Sequence, residues 1–181
     1  MKKIISAIAV LALLFTGCKK ETPKVSDNIP PEITLAISTT GWSHTFKSTD
    51  IVGGIWELRL TPNTVYTYTI SSTDSASGLR NLDFRITRGT GGYWQFNCSG
   101  APEAPRENVT ATAYLYSLNP QLYKSYLMRG SFRTGNSANN SRNFQIQLTS
   151  SDNSDPANTS QISIPVAVPF SGDYGWINIF G

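Results

Sequence analysis

Two cysteines, one histidine and twelve acidic residues are what this 181-residue chain offers for nucleophilic, general-base or metal chemistry. His44, in Trp42-Ser43-His44-Thr45-Phe46, is the sole imidazole that could activate Cys98. A lone thiol is ordinarily a small buried hydrophobe, which is the expectation for Cys98. No Gly-x-Ser-x-Gly elbow accompanies His44, so a serine hydrolase has no visible nucleophile. Zinc needs convergent His and Cys ligands that a single His and a single spare Cys cannot supply. Asp152-Asn153-Ser154-Asp155 carries oxygens of the kind calcium takes, with Asp74 or Asp50 as partners. The same residues are ordinary turn chemistry, and a turn is the reading adopted, with no metal and no cofactor. Glu57 and Asp83, within apparent strands, are the least implausible carboxylate pair for glycoside hydrolysis. Nothing here reads as an enzyme, and a diverged hydrolase is the remote alternative.

Aromatic residues offer a different chemistry. Four Trp, eight Tyr and eight Phe exceed what one small core needs. Sugar rings have apolar C–H faces that stack on exposed indole or phenol while polar groups orient them. Trp42 follows Gly41, and Tyr93-Trp94 follows Gly91-Gly92, so these three are the candidate ligand platforms. Trp56 and Trp176, inside strands, are expected to be buried. Nucleic acid is excluded as a partner. Lys2 and Lys3 account for two of the 15 basic residues, leaving 13 against 12 acidic. The arginines are scattered rather than gathered into a stripe.

The N-terminus reads as an address. Met1-Lys2-Lys3 is cationic, and the twelve residues Ile4 to Phe15 are apolar except Ser6. That run is too short for a bilayer core of about 30 Å, which needs roughly 20 residues, but it fits a signal peptide. Leu14-Phe15-Thr16-Gly17-Cys18 resembles the bacterial lipobox. The resemblance implies cleavage before Cys18 and lipid on its thiol, and therefore a membrane partner. Acyl chains contribute about 0.8 kcal/mol per buried methylene, and several together make a durable anchor. Lys19-Lys20-Glu21 lacks the inner-membrane Asp and is similar to a surface-export tag of some anaerobic Gram-negative bacteria. The implied location is the outer membrane or cell surface of a Gram-negative bacterium. Asp74-Ser75-Ala76 is similar to the O-glycosylation tripeptide of such bacteria, making Ser75 a candidate modification site.

These residues must be held by strands. Residues 1–17 are read as signal peptide, 18–31 as a proline-restricted lipidated tether, and 32–181 as the folded domain. Ile33/Leu35/Ile37, Val65–Ile70, Leu82/Phe84/Ile86, Tyr126–Phe132, Phe144–Leu148 and Ile162–Val168 alternate with period two between Gly, Asn, Ser and Pro clusters. That is the strand signature, and no 3.6-residue stripe competes with it. Ser117 to Leu127, with its Asn-Pro, is read as at most one helical turn. Val109–Tyr116 is read as one strand, and Pro165 as the mark of an edge strand. The fold class is all-β, a two-sheet sandwich with room for extra strands. The strand order between Tyr93 and Ser131 stays open.

Pro30-Pro31-Glu32-Ile33-Thr34-Leu35 resembles the opening strand of bacterial immunoglobulin-like domains. The stretch Thr69–Leu79 followed by Leu82-Asp83-Phe84 is similar to their strand, Asp-x-x-Ser-Gly turn and next strand. Ser150–Asn153 through Val168 is similar to their closing hairpin. The resemblance implies an immunoglobulin-like β-sandwich serving adhesion, spacing or ligand presentation. The function expected is a non-enzymatic module that binds or presents a glycan or protein, with a structural spacer as the alternative.

Overall fold

The computed structural model describes residues 25–50, 56–87, 95–99, 106–110, 113–119, 122–134, 141–169 and 174–178. Cys18, Tyr93 and Trp94 lie outside them. The alternating segments are strands: β1 (Glu32–Thr39), β2 (Trp42–Lys47), β3 (Trp56–Arg59), β4 (Val65–Thr73), β5 (Leu79–Thr87) and β6 (Gln95–Ser99). They are followed by β7 (Arg106–Thr110), β8 (Ala113–Ser117), β9 (Ser125–Arg133), β10 (Ser141–Asp152), β11 (Thr159–Val168) and β12 (Gly175–Asn178). No helix occurs among the described residues.

Two sheets form a sandwich, one ordered β2-β1-β4-β9-β6 and the other β12-β3-β11-β10-β5-β8-β7. Successive strand side chains point to opposite faces, so each strand gives every second residue to the core. β1 contributes Ile33, Leu35 and Ile37; β4 contributes Tyr66, Tyr68 and Ile70; β9 contributes Tyr126, Met128 and Phe132. The facing sheet answers with Leu82, Phe84, Ile86, Ile146, Leu148, Ile162, Ile164 and Val166. Each such side chain contributes about 1.5–3 kcal/mol by leaving water, set against the entropy of ordering the chain. A polar link crosses the gap: Ser72 of β4 and Ser150 of β10, both fully buried, share a 2.8 Å hydrogen bond.

The run β1-β4-β9-β6 and the facing β11-β10-β5 follow the A-B-E-D and G-F-C orders of an immunoglobulin-type sandwich. Five strands enlarge it, three of them at the β1 and β11 edges. β2 extends β1 outward, β3 joins β11 in parallel, and β12 closes on β3. Between β5 and β9 the chain crosses to the first sheet as β6, then returns as the β7–β8 hairpin beside β5. The single strand expected at Val109–Tyr116 is therefore split, with its halves paired to each other. The Asn119 carbonyl accepts hydrogen bonds from the Leu122 and Tyr123 amides, both 2.9 Å, closing one turn before β9.

The edge-strand expectation for Pro165 needs correction, because β11 is internal, between β10 and β3. The ladder to β3 begins only at Val166, so the proline without an N–H sits where that side of β11 is still open.

Candidate functional site

An aromatic row covers one seam of the sandwich. β2 is the last strand of one sheet and β12 the last of the other, and the two edges meet. On β2 the period of two sets Trp42, His44 and Phe46 on one face. Phe46 is buried, while His44 and Trp42 are half-buried. Trp176 from β12 and Trp56 from β3 complete the row. Trp42 stacks on His44 (6.4 Å between centroids, 14°), His44 meets Trp176 (6.0 Å), and Trp176 stacks on Trp56 (5.7 Å, 15°). Phe46 meets Trp176 edge-on at 5.0 Å, and Tyr66 meets Trp42 edge-on at 6.4 Å, so both rings form the floor. All these separations suit attractive ring pairs. Burial lowers the His44 pKa below its ordinary value, so the imidazole in the row is neutral near pH 7.

Trp56 and Trp176 thus depart from the expectation of burial. Both are only half-buried, standing on the last two strands of their sheet. Trp42 and Trp176 also pack on the core. The Trp42 indole lies over Gly175, whose φ of +115° and missing Cβ leave it room.

The other end of β1 carries a different constellation. Eight residues of strand put Glu32 roughly 25 Å from the Trp42 end. Here the β4–β5 turn is held by Asp74, whose Oδ1 accepts from the Gly78 amide (2.7 Å) and the Ser77 hydroxyl (3.4 Å). Gly78 takes φ +81°, and its carbonyl accepts from the Asn153 amide of the neighbouring β10–β11 turn. In that second turn Asp152 Oδ1 accepts from the Ser154 amide (3.1 Å), the Ser154 hydroxyl (2.6 Å) and the Asn158 amide (2.8 Å). Asp152 Oδ2 takes the Asn158 side-chain amide at 2.8 Å. Burial by itself raises the Asp152 pKa, but these bonds from Ser154 and Asn158 outweigh it and hold the carboxylate below its usual range.

Asp27 joins them from the segment before β1. Its Oδ1 accepts from the Ile29 amide (2.9 Å), and its carbonyl from the Asn158 side chain (3.0 Å). One oxygen from each of Asp27, Asp74 and Asp152 lies within 4.8 Å of the other two. Ser75 is exposed beside this cluster, on a shallow recess of about 280 Å³ also lined by Ile29, Glu32, Asp74 and Lys124.

Other candidate residues are not brought together. His44 on β2 and Cys98 on β6 stand at opposite edges of one sheet, four strand spacings or about 19 Å apart. Glu57 on β3 and Asp83 on β5 are three spacings apart, about 14 Å, beyond the separations glycosidases use. Each faces an arginine two residues on: Arg59 Nε to Glu57 at 3.0 Å and Arg85 Nε to Asp83 at 2.7 Å. Asp50 is exposed, and its carboxylate accepts from the Thr49 hydroxyl. Reasoning from sequence missed Asp27, because its partner Asn158 is 131 positions away and its own surroundings are featureless. The chain matches no family model, and no curated protein is similar to it.

Proposed function

We propose that the chain is a lipid-anchored module of the bacterial cell envelope, held through Cys18 at the outer membrane or cell surface, that presents its aromatic seam to a glycan or protein. The observation that carries this reading is the continuous, half-buried row Trp42–His44–Trp176–Trp56. Half-buried indoles beside a neutral imidazole combine apolar faces with a polar edge, the pairing that sugar rings and protein strips both match. Supporting it, the N-terminal segment enters at the Glu32 end of β1 and the seam lies toward the other end, so an anchor would leave the seam facing outward. Exposed Ser75 suits the glycosylation read from Asp74-Ser75-Ala76.

Trp56 gives the cleanest test, since it stacks on Trp176 while Trp42 and Trp176 also pack on the core. A glycan array and envelope-extract pull-down should retain a ligand on the wild type and lose it with Trp56→Ala at unchanged thermal stability. No retained ligand, or a ligand indifferent to Trp56→Ala, overturns the binding reading. A structural spacer is the second reading, favoured by Trp42 sealing the Gly175 backbone, and it expects Trp56→Ala to leave every interaction intact.

A further inference from the structure

We propose that Asp27, Asp74 and Asp152 form a calcium-binding site that, when filled, fastens the segment preceding β1 to the end of the sandwich. Three carboxylates converge within 4.8 Å, and among the described residues no Lys, Arg or His pairs with any of them within 4 Å. Lys124, the nearby cation lining the same recess, donates instead to the Ala76 carbonyl at 2.6 Å.

One buried oxygen is left over for a ligand. Asp27 Oδ2 is buried with no hydrogen-bond partner. Asp74 is only 6% exposed, and the hydrogen bonds from Ser77 and Gly78 both land on its Oδ1, which leaves Oδ2 toward the cluster's open side. A buried anionic oxygen without a donor is strongly unfavourable unless a cation or proton neutralises it. Such atoms are paired in nearly every native interior, and this one belongs to a residue of the three-carboxylate cluster.

The ligand chemistry favours calcium: Mg²⁺ demands near-ideal octahedral geometry and dehydrates reluctantly, so it is seldom held by an all-protein cage, whereas Ca²⁺ accepts several carboxylates in flexible geometry. An all-oxygen set is hard, which disfavours zinc and copper. The hydroxyls of Ser77 and Ser154 already hydrogen-bond these carboxylates and add neutral oxygens nearby. Asn158 cannot neutralise the cluster: its side-chain amide has two hydrogens, yet four acceptors lie within 3.4 Å of it.

Asp27 gives the site its consequence. Asp74 and Asp152 belong to turns fixed by their own hydrogen bonds, whereas Asp27 is held only by the Ile29 amide and the shared Asn158 side chain among the described residues. An ion on all three therefore changes the freedom of residues 25–31 more than that of the sandwich. It would stiffen the place where the leading segment meets the domain.

Calorimetric titration of the chelator-stripped full-length chain with CaCl₂ should give one saturable site, with a Kd on the order of 10⁻⁵–10⁻³ M and weaker binding of MgCl₂. The amide resonances of Ile29 and Gly78 should shift together on saturation. Asp152→Asn also disturbs the turn it organises, so Asp27→Asn carries the test, with exposed Asp50→Asn as its control. Asp27→Asn should weaken calcium by roughly tenfold or more with the Gly78 amide otherwise in place, as expected when one of three anionic ligands is lost. Asp50→Asn should bind as the wild type does. Absence of saturable binding below about 10 mM CaCl₂ overturns the site, as it would if a shared proton neutralised the cluster. Unchanged affinity in Asp27→Asn, or equal affinity for magnesium, overturns it too.

Discussion

Replacing Gly175 with alanine perturbs the seam through its backbone. Gly175 has φ +115°, a region that costs a residue with a Cβ about 1–3 kcal/mol. The new Cβ would stand 3.0 Å from Trp42 Nε1, 3.7 Å from Cε2 and 3.8 Å from Cδ1. Favourable contact begins at about 3.5 Å, so the indole must move several tenths of an ångström. It is stacked on His44 and edge-on to Tyr66, and losing part of that arrangement adds about 1 kcal/mol. Gly175→Ala should therefore cost about 2–4 kcal/mol, lowering Tm by roughly 6–12 °C for a domain of this size. Trp42→Phe withdraws the clashing nitrogen but leaves the backbone strain. In a double-mutant cycle read by urea unfolding, the pair should couple by about 0.5–1.5 kcal/mol, Gly175→Ala costing less in the Trp42→Phe background than in the wild type. Additivity within about 0.3 kcal/mol would show that the indole does not lie over Gly175, and a neutral Gly175→Ala would refute the backbone argument as well.

Three further outcomes follow from the same geometry. Burial lowers the His44 pKa, so below pH 7 the unfolded chain takes up a proton before the native state does. Stability should fall as pH drops through about 6.5 toward that lowered value, then level off until carboxylates titrate; His44→Phe should remove the slope in Tm against pH, and an unchanged slope refutes the assignment. Ser150 shares a hydrogen bond with Ser72 and also bonds the Asn81 carbonyl at 3.1 Å. Ser150→Ala strands the fully buried Ser72 hydroxyl and should cost about 1–3 kcal/mol, whereas Ser72→Ala leaves Ser150 its carbonyl and should cost about 0.5–1.5; urea midpoints in the reverse order refute the network. Phe132, stacked on Tyr66 at 5.5 Å and 2% exposed, should cost about 3–5 kcal/mol as Phe132→Ala, and a loss below about 1 kcal/mol would place it outside the core.

Some of the site was readable before any fold was known. The Asp74-x-x-Ser77-Gly78 turn announces itself because its bonds span four residues or fewer. Asp152 and Ser154 do the same in the β10–β11 turn. Asp27 carries no such signal, and neither does the company of His44. Trp42 stood out for the glycine beside it, yet Trp176 and Trp56, the other indoles of the row, read as ordinary strand interior. They stay half-buried where β12 and β3 end a sheet.

The division has one physical cause. Side-chain alternation is a property of the extended backbone itself, so a run such as Ile33-Thr34-Leu35-Ala36-Ile37 declares a half-buried strand without reference to any neighbour. All-β architecture and the inward faces of β1, β4, β5, β9 and β11 were therefore present in the sequence. Neighbourhood is not local. That β2 lies against β12, that β6 changes sheets before the β7–β8 hairpin, and that Asp27 reaches Asp152 depend on which buried faces and hydrogen-bonding edges satisfy one another across the whole chain. Those choices are made by packing the two sheets together, and only the tertiary structure contains them.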